Sequence, residues 1–135
     1  AAIASHVSVD FAKVANVPSS TFNNANLITC FSNDYGYENW VKKALEFYAC
    51  PEDLIIFISV SGNSQNLING IKFAKNNLIS TASLTGSNKE NFLKKNSDCS
   101  LWVNSKAYNI VESIHTIWLT LIIDLLVGNP EYSVS

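Results

Sequence analysis

The segment Ser59-Val60-Ser61-Gly62-Asn63-Ser64 has the residue types and order needed to hold an anion. Three hydroxyls and an amide supply hydrogen-bond partners, and Gly62 lets the main chain come close to a ligand. The segment closes Leu54 to Val60, a nearly unbroken apolar run rich in β-branched residues, which suits a central parallel strand covered on both faces. It opens onto Leu67, Ile68, Ile71 and Ala74, one face of a helix. A strand-to-helix turn of this kind presents free N–H groups and the positive end of a helix dipole to a ligand. It contains no Lys or Arg, which excludes the nucleotide-binding Gly-Lys-Ser/Thr loop and fits a small phosphomonoester better than a triphosphate. The alternative is that Ser61, Asn63 and Ser64 only cap the helix.

Other spacings invite chemistry. Thr85-Gly86-Ser87-Asn88 is a second turn of the same kind, read as capping. His6 and Asp10 are four apart in a helical stretch and face the same way, as an acid/base pair, two metal ligands or an ordinary solvated pair. Glu112 and His115 are three apart, a spacing used in metal-binding bundles that need it twice; here it occurs once. Polar residues at a subunit interface or pocket edge are the plainer reading of that pair. The scattered aromatics Trp40, Tyr48, Trp102 and Trp118 read as core or interface packing.

The elements that must position these groups follow from periodicity. Ile3, Val7, Phe11 and Val14 predict a helix from Ala1 to about Asn16, and Pro18-Ser19-Ser20 breaks it. Thr21 to Ala25 reads as a short strand, Leu27 to Phe31 is too short to assign, and Ser32 to Gly36 reads as a loop. Trp40 to Tyr48 is a helix stopped by Pro51. Beyond the Leu54 strand and its helix come a strand at Ile79 to Leu84, a short helix at Lys89 to Lys95 and a strand at Ser100 to Val103. The last element is a long, largely buried helix from Ala107 to about Val127. Strands alternating with helices imply an α/β fold, a three-layer αβα sandwich around a parallel sheet, with residues 1–135 as a single domain.

Composition bounds the function. The 135 residues, 47% hydrophobic, suit one core, and 15% charged residues with a net charge of -2 leave no footprint for direct nucleic-acid binding. Cys30, Cys50 and Cys99 are odd in number and widely spaced, which argues against disulfides and structural zinc and for the cytoplasm. The apolar run Ile117 to Val127 contains Asp124 and falls short of the roughly 20 residues that span a bilayer, so no membrane is expected. The chain has no Met, which suggests that Ala1 is not the translated start and that an N-terminal segment precedes it.

Ser32-Asn33-Asp34-Tyr35-Gly36, Ser59-Val60-Ser61-Gly62-Asn63-Ser64-Gln65-Asn66 and Leu84-Thr85-Gly86, in this order, resemble the SIS (sugar isomerase) domain family, particularly its phosphoheptose isomerase branch. The resemblance implies a five-stranded parallel sheet in the manner of flavodoxin, a homotetramer with sites between subunits, and a strand and Gly-Asn-Gly-Gly-Ser loop ahead of Ala1. By position it implies phosphate binding at Ser59, Val60, Ser61 and Ser64, and sugar contacts at Asn33 and Asp34. It places a catalytic base at Asp10 beside His6, and a substrate contact at Glu112. His6, Asp10 and Glu112 match positions that, with one further His, bind zinc in some members. That further His corresponds to Thr120, which cannot exchange a proton near neutral pH. Asp10 stands where the family has Glu, one methylene longer.

Two functions follow from the resemblance. One is an aldose–ketose isomerase converting sedoheptulose 7-phosphate to a D-glycero-heptose 7-phosphate for lipopolysaccharide or surface-polysaccharide synthesis. The other is a non-catalytic phosphosugar-binding regulator or protein-interaction module.

Overall fold

The computed structural model describes residues 2–131. The first helix, α1, runs Ala2–Lys13, and the start expected at Ala1 lies outside the described residues. Its Val7 and Phe11 are buried while His6 and Val9 are exposed, the one-sided pattern that the spacing of apolar residues requires.

The stretch that follows departs from expectation. Thr21 to Ala25 is not a strand: the Asn24 side chain accepts from the N–H groups of Asn26 and Leu27 at 2.9 and 3.3 Å and starts α2, Ala25–Tyr35. Ser32 to Tyr35 therefore forms the last turn of a helix, not a loop. Gly36, at φ 83°, ends it. Helix α3 spans Trp40–Tyr48, as the periodicity predicts.

The sheet comprises β1 (Leu54–Ser59), β2 (Ser80–Thr85) and β3 (Cys99–Trp102), all parallel, in the order β1-β2-β3. The crossovers carry α4 (Gln65–Asn76) and the short α5 (Phe92–Asn96), and α6 (Tyr108–Val127) closes the described fold. Three strands stand where the resemblance implied five, and β2 is central among them. The Leu54 strand is thus an edge strand within the described residues, not a central one.

Both faces of β1 are nevertheless covered, because successive side chains point to opposite sides. Ile55 and Phe57 pack with Trp40, Val41, Leu45, Ile71 and Leu93 from α3, α4 and α5. Ile56 and Ile58 pack with Val7, Phe11, Leu84, Leu119 and Ile123 from α1, α6 and β2. Two apolar clusters, one on each side of the sheet, replace the one core expected from chain length, and this division makes the three-layer αβα sandwich. Along the open edge of β1 lies a groove of about 810 Å³ between α1, the 17–23 segment and α3.

Helix α6 is less buried than its composition suggests. Val111, His115, Leu119 and Ile123 form its covered stripe, whereas Ile117 and Leu125 are 61% and 71% exposed. With 20 residues it is also long and apolar enough, by length and composition, to cross a membrane, contrary to the short run read from sequence. Here its covered stripe packs on α1 and the sheet.

Candidate functional site

The candidate site is built where β1 ends. Pairing with β2 stops at Ser59–Thr85, and five residues carry the chain into α4. The Ser59 hydroxyl accepts from the Gly62 N–H at 3.1 Å and the Ser61 hydroxyl from the Asn63 N–H at 3.3 Å. Both hydroxyls therefore brace the turn as acceptors and keep their protons to donate. Gly62 turns the chain at φ 65°, and Ser61, Asn63 and Ser64 are exposed.

Ser64 occupies the N-cap of α4, but its side chain makes no cap bond. Capping thus does not account for this hydroxyl. The first-turn amides of α4 receive no bond from it; the Leu67 N–H meets the Asn66 side chain at 2.9 Å and the Ser64 carbonyl at 3.0 Å, and the positive end of the helix dipole adjoins the Ser59–Ser64 turn. The same turn is fixed from the β2 side. Gly86 N–H donates to the Val60 carbonyl at 3.0 Å, Leu93 N–H to the Gly62 carbonyl at 3.0 Å, and Phe92 N–H to the Asn63 side chain at 2.9 Å.

The floor beneath is polar and buried. Asn91, 1% exposed, donates to the Thr85 hydroxyl at 3.1 Å and the Asn88 carbonyl at 2.8 Å, and accepts from Lys94 N–H at 2.9 Å. The His115 Nε2 lies 3.2 Å from the Thr85 carbonyl. His115 is wholly buried, so it is not the interface or pocket-edge residue that its spacing from Glu112 suggested. Burial pushes its imidazole below the ordinary value, against the opposing pull of the Thr85 carbonyl and Glu112. Sequence reasoning marked the Thr85 turn only as capping and missed Asn91: a buried Asn in a Lys/Asn-rich stretch has no periodic signature.

The other predicted residues lie on separate elements. His6 and Asp10 meet on α1 at 3.1 Å, with the imidazole 70% and the carboxylate 28% exposed, a solvent-facing pair. Glu112 is partly buried on α6. Asn33 and Asp34 sit in the last turn of α2 and bond to each other at 2.9 Å. A bridge ties that corner to α4, with Asn69 donating to the Glu38 carbonyl at 2.9 Å and to the Asn39 side chain at 3.2 Å. The Thr120 hydroxyl is turned back on its own helix, onto the carbonyls of Thr116 and Ile117 at 3.1 and 3.0 Å.

A zinc ion is the one cofactor the resemblance suggested, at sites it implied lie between subunits. Among the described residues no group of three His, Cys, Asp or Glu side chains could hold a metal ion. His6 and Asp10 come together; Glu112 does not complete a set with them.

A parallel sheet between helical layers, with a helix N-terminus and a Ser-rich turn at the end of a strand, defines an α/β protein. Comparison with known proteins narrows this class. Residues 47–127 match the SIS domain model, and the chain belongs to the SIS domain family. It is 34% identical over 108 residues to a phosphoheptose isomerase of Fusobacterium nucleatum, an alignment covering 80% of this chain and 55% of that protein. It is 38% identical over 92 residues to a probable phosphoheptose isomerase of Thermoplasma acidophilum, covering 68% and 50%. The chain thus spans about half the length of these relatives.

The structure of a phosphoheptose isomerase from Francisella tularensis superposes with a TM-score of 0.81 at 21% identity, over 95% of this chain and 71% of that one. One from Neisseria gonorrhoeae gives 0.82 at 22%, over 94% and 70%. At these identities the superpositions establish the shared αβα architecture.

Proposed function

We propose that residues 1–135 act as one SIS domain whose Ser59–Ser64 loop binds the phosphate of a sugar phosphate, within an aldose–ketose isomerase. The substrate on this reading is sedoheptulose 7-phosphate and the product a D-glycero-heptose 7-phosphate, destined for lipopolysaccharide or a surface polysaccharide. One observation carries the reading: Ser64 gives the first turn of α4 no side-chain cap, while the Ser59 and Ser61 hydroxyls brace the turn that leads into it. The names of the relatives supply the sugar.

In this scheme the phosphate is gripped remote from the reacting carbons, and its binding energy orients the other end of the sugar. Asp10 is the base that moves a proton between the two carbons of an enediol. His6, 3.1 Å away, holds that carboxylate, Glu112 assists from α6, and Asn33 and Asp34 contact the sugar hydroxyls. Because no metal set assembles among the described residues, no step is routed through zinc. The exposed apolar residues Ile110, Ile117, Leu121 and Leu125 on α6 support burial against further copies, a homo-oligomer and on the family pattern a tetramer. A cytoplasmic setting accords with three free, exposed thiols.

Thr120 favours a second reading. With its hydroxyl bonded to its own helix it offers no proton-transfer group, which suits a phosphosugar-binding regulator without turnover. Incubating the full-length protein with sedoheptulose 7-phosphate in deuterated water separates the two. Aldose product or deuterium at the carbon next to the carbonyl supports the isomerase; binding with neither, with or without added zinc, supports the regulator. For the loop itself, Ser61→Ala combined with Ser64→Ala is expected to weaken sugar-phosphate binding by a few kcal/mol with an unchanged circular-dichroism spectrum, at about 1.5–3 kcal/mol for each hydrogen bond to a charged group. Unchanged affinity would refute the assigned roles.

A further inference from the structure

Three hydrogen bonds cross from the turn after β2 and from α5 onto the Ser59–Ser64 loop, at Val60, Gly62 and Asn63. The segment that donates them, Gly86 to Leu93, is itself tied down at two buried points. Asn91 binds the Thr85 hydroxyl and the Asn88 carbonyl, and its side chain packs so tightly under Gly62 that a Cβ there would fall 2.1 Å from the Asn91 Oδ1. The second point is the last carbonyl of β2, that of Thr85, which accepts from the Val103 N–H at 2.9 Å and faces the His115 Nε2 of α6 at 3.2 Å.

A carbonyl only accepts, so the His115 Nε2 carries the proton and Nδ1 is a bare acceptor. Nδ1 is buried without a partner, a cost that a residue selected for packing alone would not carry. Leu or Phe would fill the space between Val111 and Leu119 without that cost. Retention of an imidazole points to the bond with Thr85.

We infer that His115 is a positioning residue for the anion loop. Its Nε2–H joins the Val103 N–H in fixing the Thr85 carbonyl, the Thr85 hydroxyl accepts from Asn91, and Asn91 supports Gly62, so that the amides and hydroxyls of 59–64 are set before a ligand arrives. Pre-set donors bind an anion more tightly because less order is lost on binding. The inference rests on the phosphate-loop reading for its consequence, and on the hydrogen-bond chain alone for its geometry.

The test compares full-length wild type with His115→Leu and His115→Gln, in two measurements. Gln can place an amide N–H where Nε2 stands; Leu cannot. Calorimetric titration with inorganic phosphate and with sedoheptulose 7-phosphate is expected to show at least tenfold weaker binding for Leu and near wild-type binding for Gln. Amide hydrogen exchange, read without ligand, is expected to speed up at Gly62, Phe92 and Leu93 in the Leu variant, while Ile56 and Phe57 in the β1–β2 ladder stay protected.

Equal binding by wild type and the Leu variant, or Gln binding as weakly as Leu, overturns the inference, as does faster exchange spread evenly over loop and ladder. If wild type itself binds neither ligand, the phosphate reading falls and the exchange pattern alone decides this one. Should the Leu variant not fold, His115→Asn, too short to reach Thr85, takes its place with the same expectations.

Discussion

Gly62 and Gly128 offer a matched pair of substitutions that isolates what the anion loop requires. Both have positive φ, 65° and 80°, and both would strain any L side chain. They differ in surroundings: a Cβ on Gly128 meets nothing within 4 Å, whereas one on Gly62 falls 2.1, 2.3 and 2.9 Å from the Oδ1, Cγ and Cβ of Asn91. Gly128→Ala should therefore cost only the left-handed strain, about 1–2 kcal/mol. Gly62→Ala adds an overpacking penalty of about 1–3 kcal/mol, because Asn91 is anchored by its own hydrogen bonds and cannot swing away.

A chain of 135 residues has an unfolding entropy of about 0.3 kcal/mol/K at about 2.1 cal/mol/K per residue. The first substitution should thus lower Tm by about 3–7 °C and the second by about 7–17 °C. Differential scanning calorimetry measures both, and phosphate titration adds the functional half. Gly62→Ala should lose binding, and Gly128→Ala, at the far end of α6, should keep it. Equal Tm losses, or intact phosphate affinity in Gly62→Ala, would refute the claim that Asn91 presses against the loop.

Two further outcomes follow from the same geometry. Acid should destabilise the protein in two windows. His115 is held below its unfolded pKa by burial, so the stability tied to its neutral form is complete above about pH 6.5 and is lost as pH falls from there towards its folded pKa. Asp98 is held low chiefly by hydrogen bonds from the Thr81 hydroxyl and N–H, with Lys75 assisting, so its share persists above about pH 4 and disappears as pH falls through its folded pKa. Urea midpoints measured from pH 8 to 3 should show both declines, and His115→Gln should abolish the upper one. Separately, Leu78 has φ 59° and is 87% exposed, so Leu78→Gly should raise stability by up to about 1 kcal/mol, checked by the urea midpoint.

What could be read in advance was whatever depends on local pattern. The Leu54 run is β-branched and bounded by turn signals, and it forms the strand that carries the loop. Trp40 to Tyr48 and Leu67 to Ala74 show their buried faces in their spacing. The 21–36 region did not yield to such reading. Its helix begins because Asn24 caps it and persists through Ser32-Asn33-Asp34, where Asn33 and Asp34 face water while the Ser32 hydroxyl is turned inward, so polarity was mistaken for a loop.

Long-range facts were equally hidden. Nothing local reveals that β1 lies at the edge of the described sheet, which stripe of α6 is covered, or that His115 reaches a carbonyl 30 residues away. The strand-to-helix turn that carries Ser59, Ser61 and Ser64 was legible from their order after the strand. Asn91 was not, because its importance comes from lying under Gly62 and not from any neighbour in sequence.

The open flank of β1 has a bearing on handling this molecule. Among the described residues one side of β1 pairs with no strand, and it borders an apolar groove where the side chains of an added strand, such as the one the resemblance implies ahead of Ala1, would find Ile56 and Ile58. Whatever lodges there lies alongside the rail that ends in Ser59. Self-association at high concentration would then be felt at the mouth of the anion loop, where it could pass for a ligand effect.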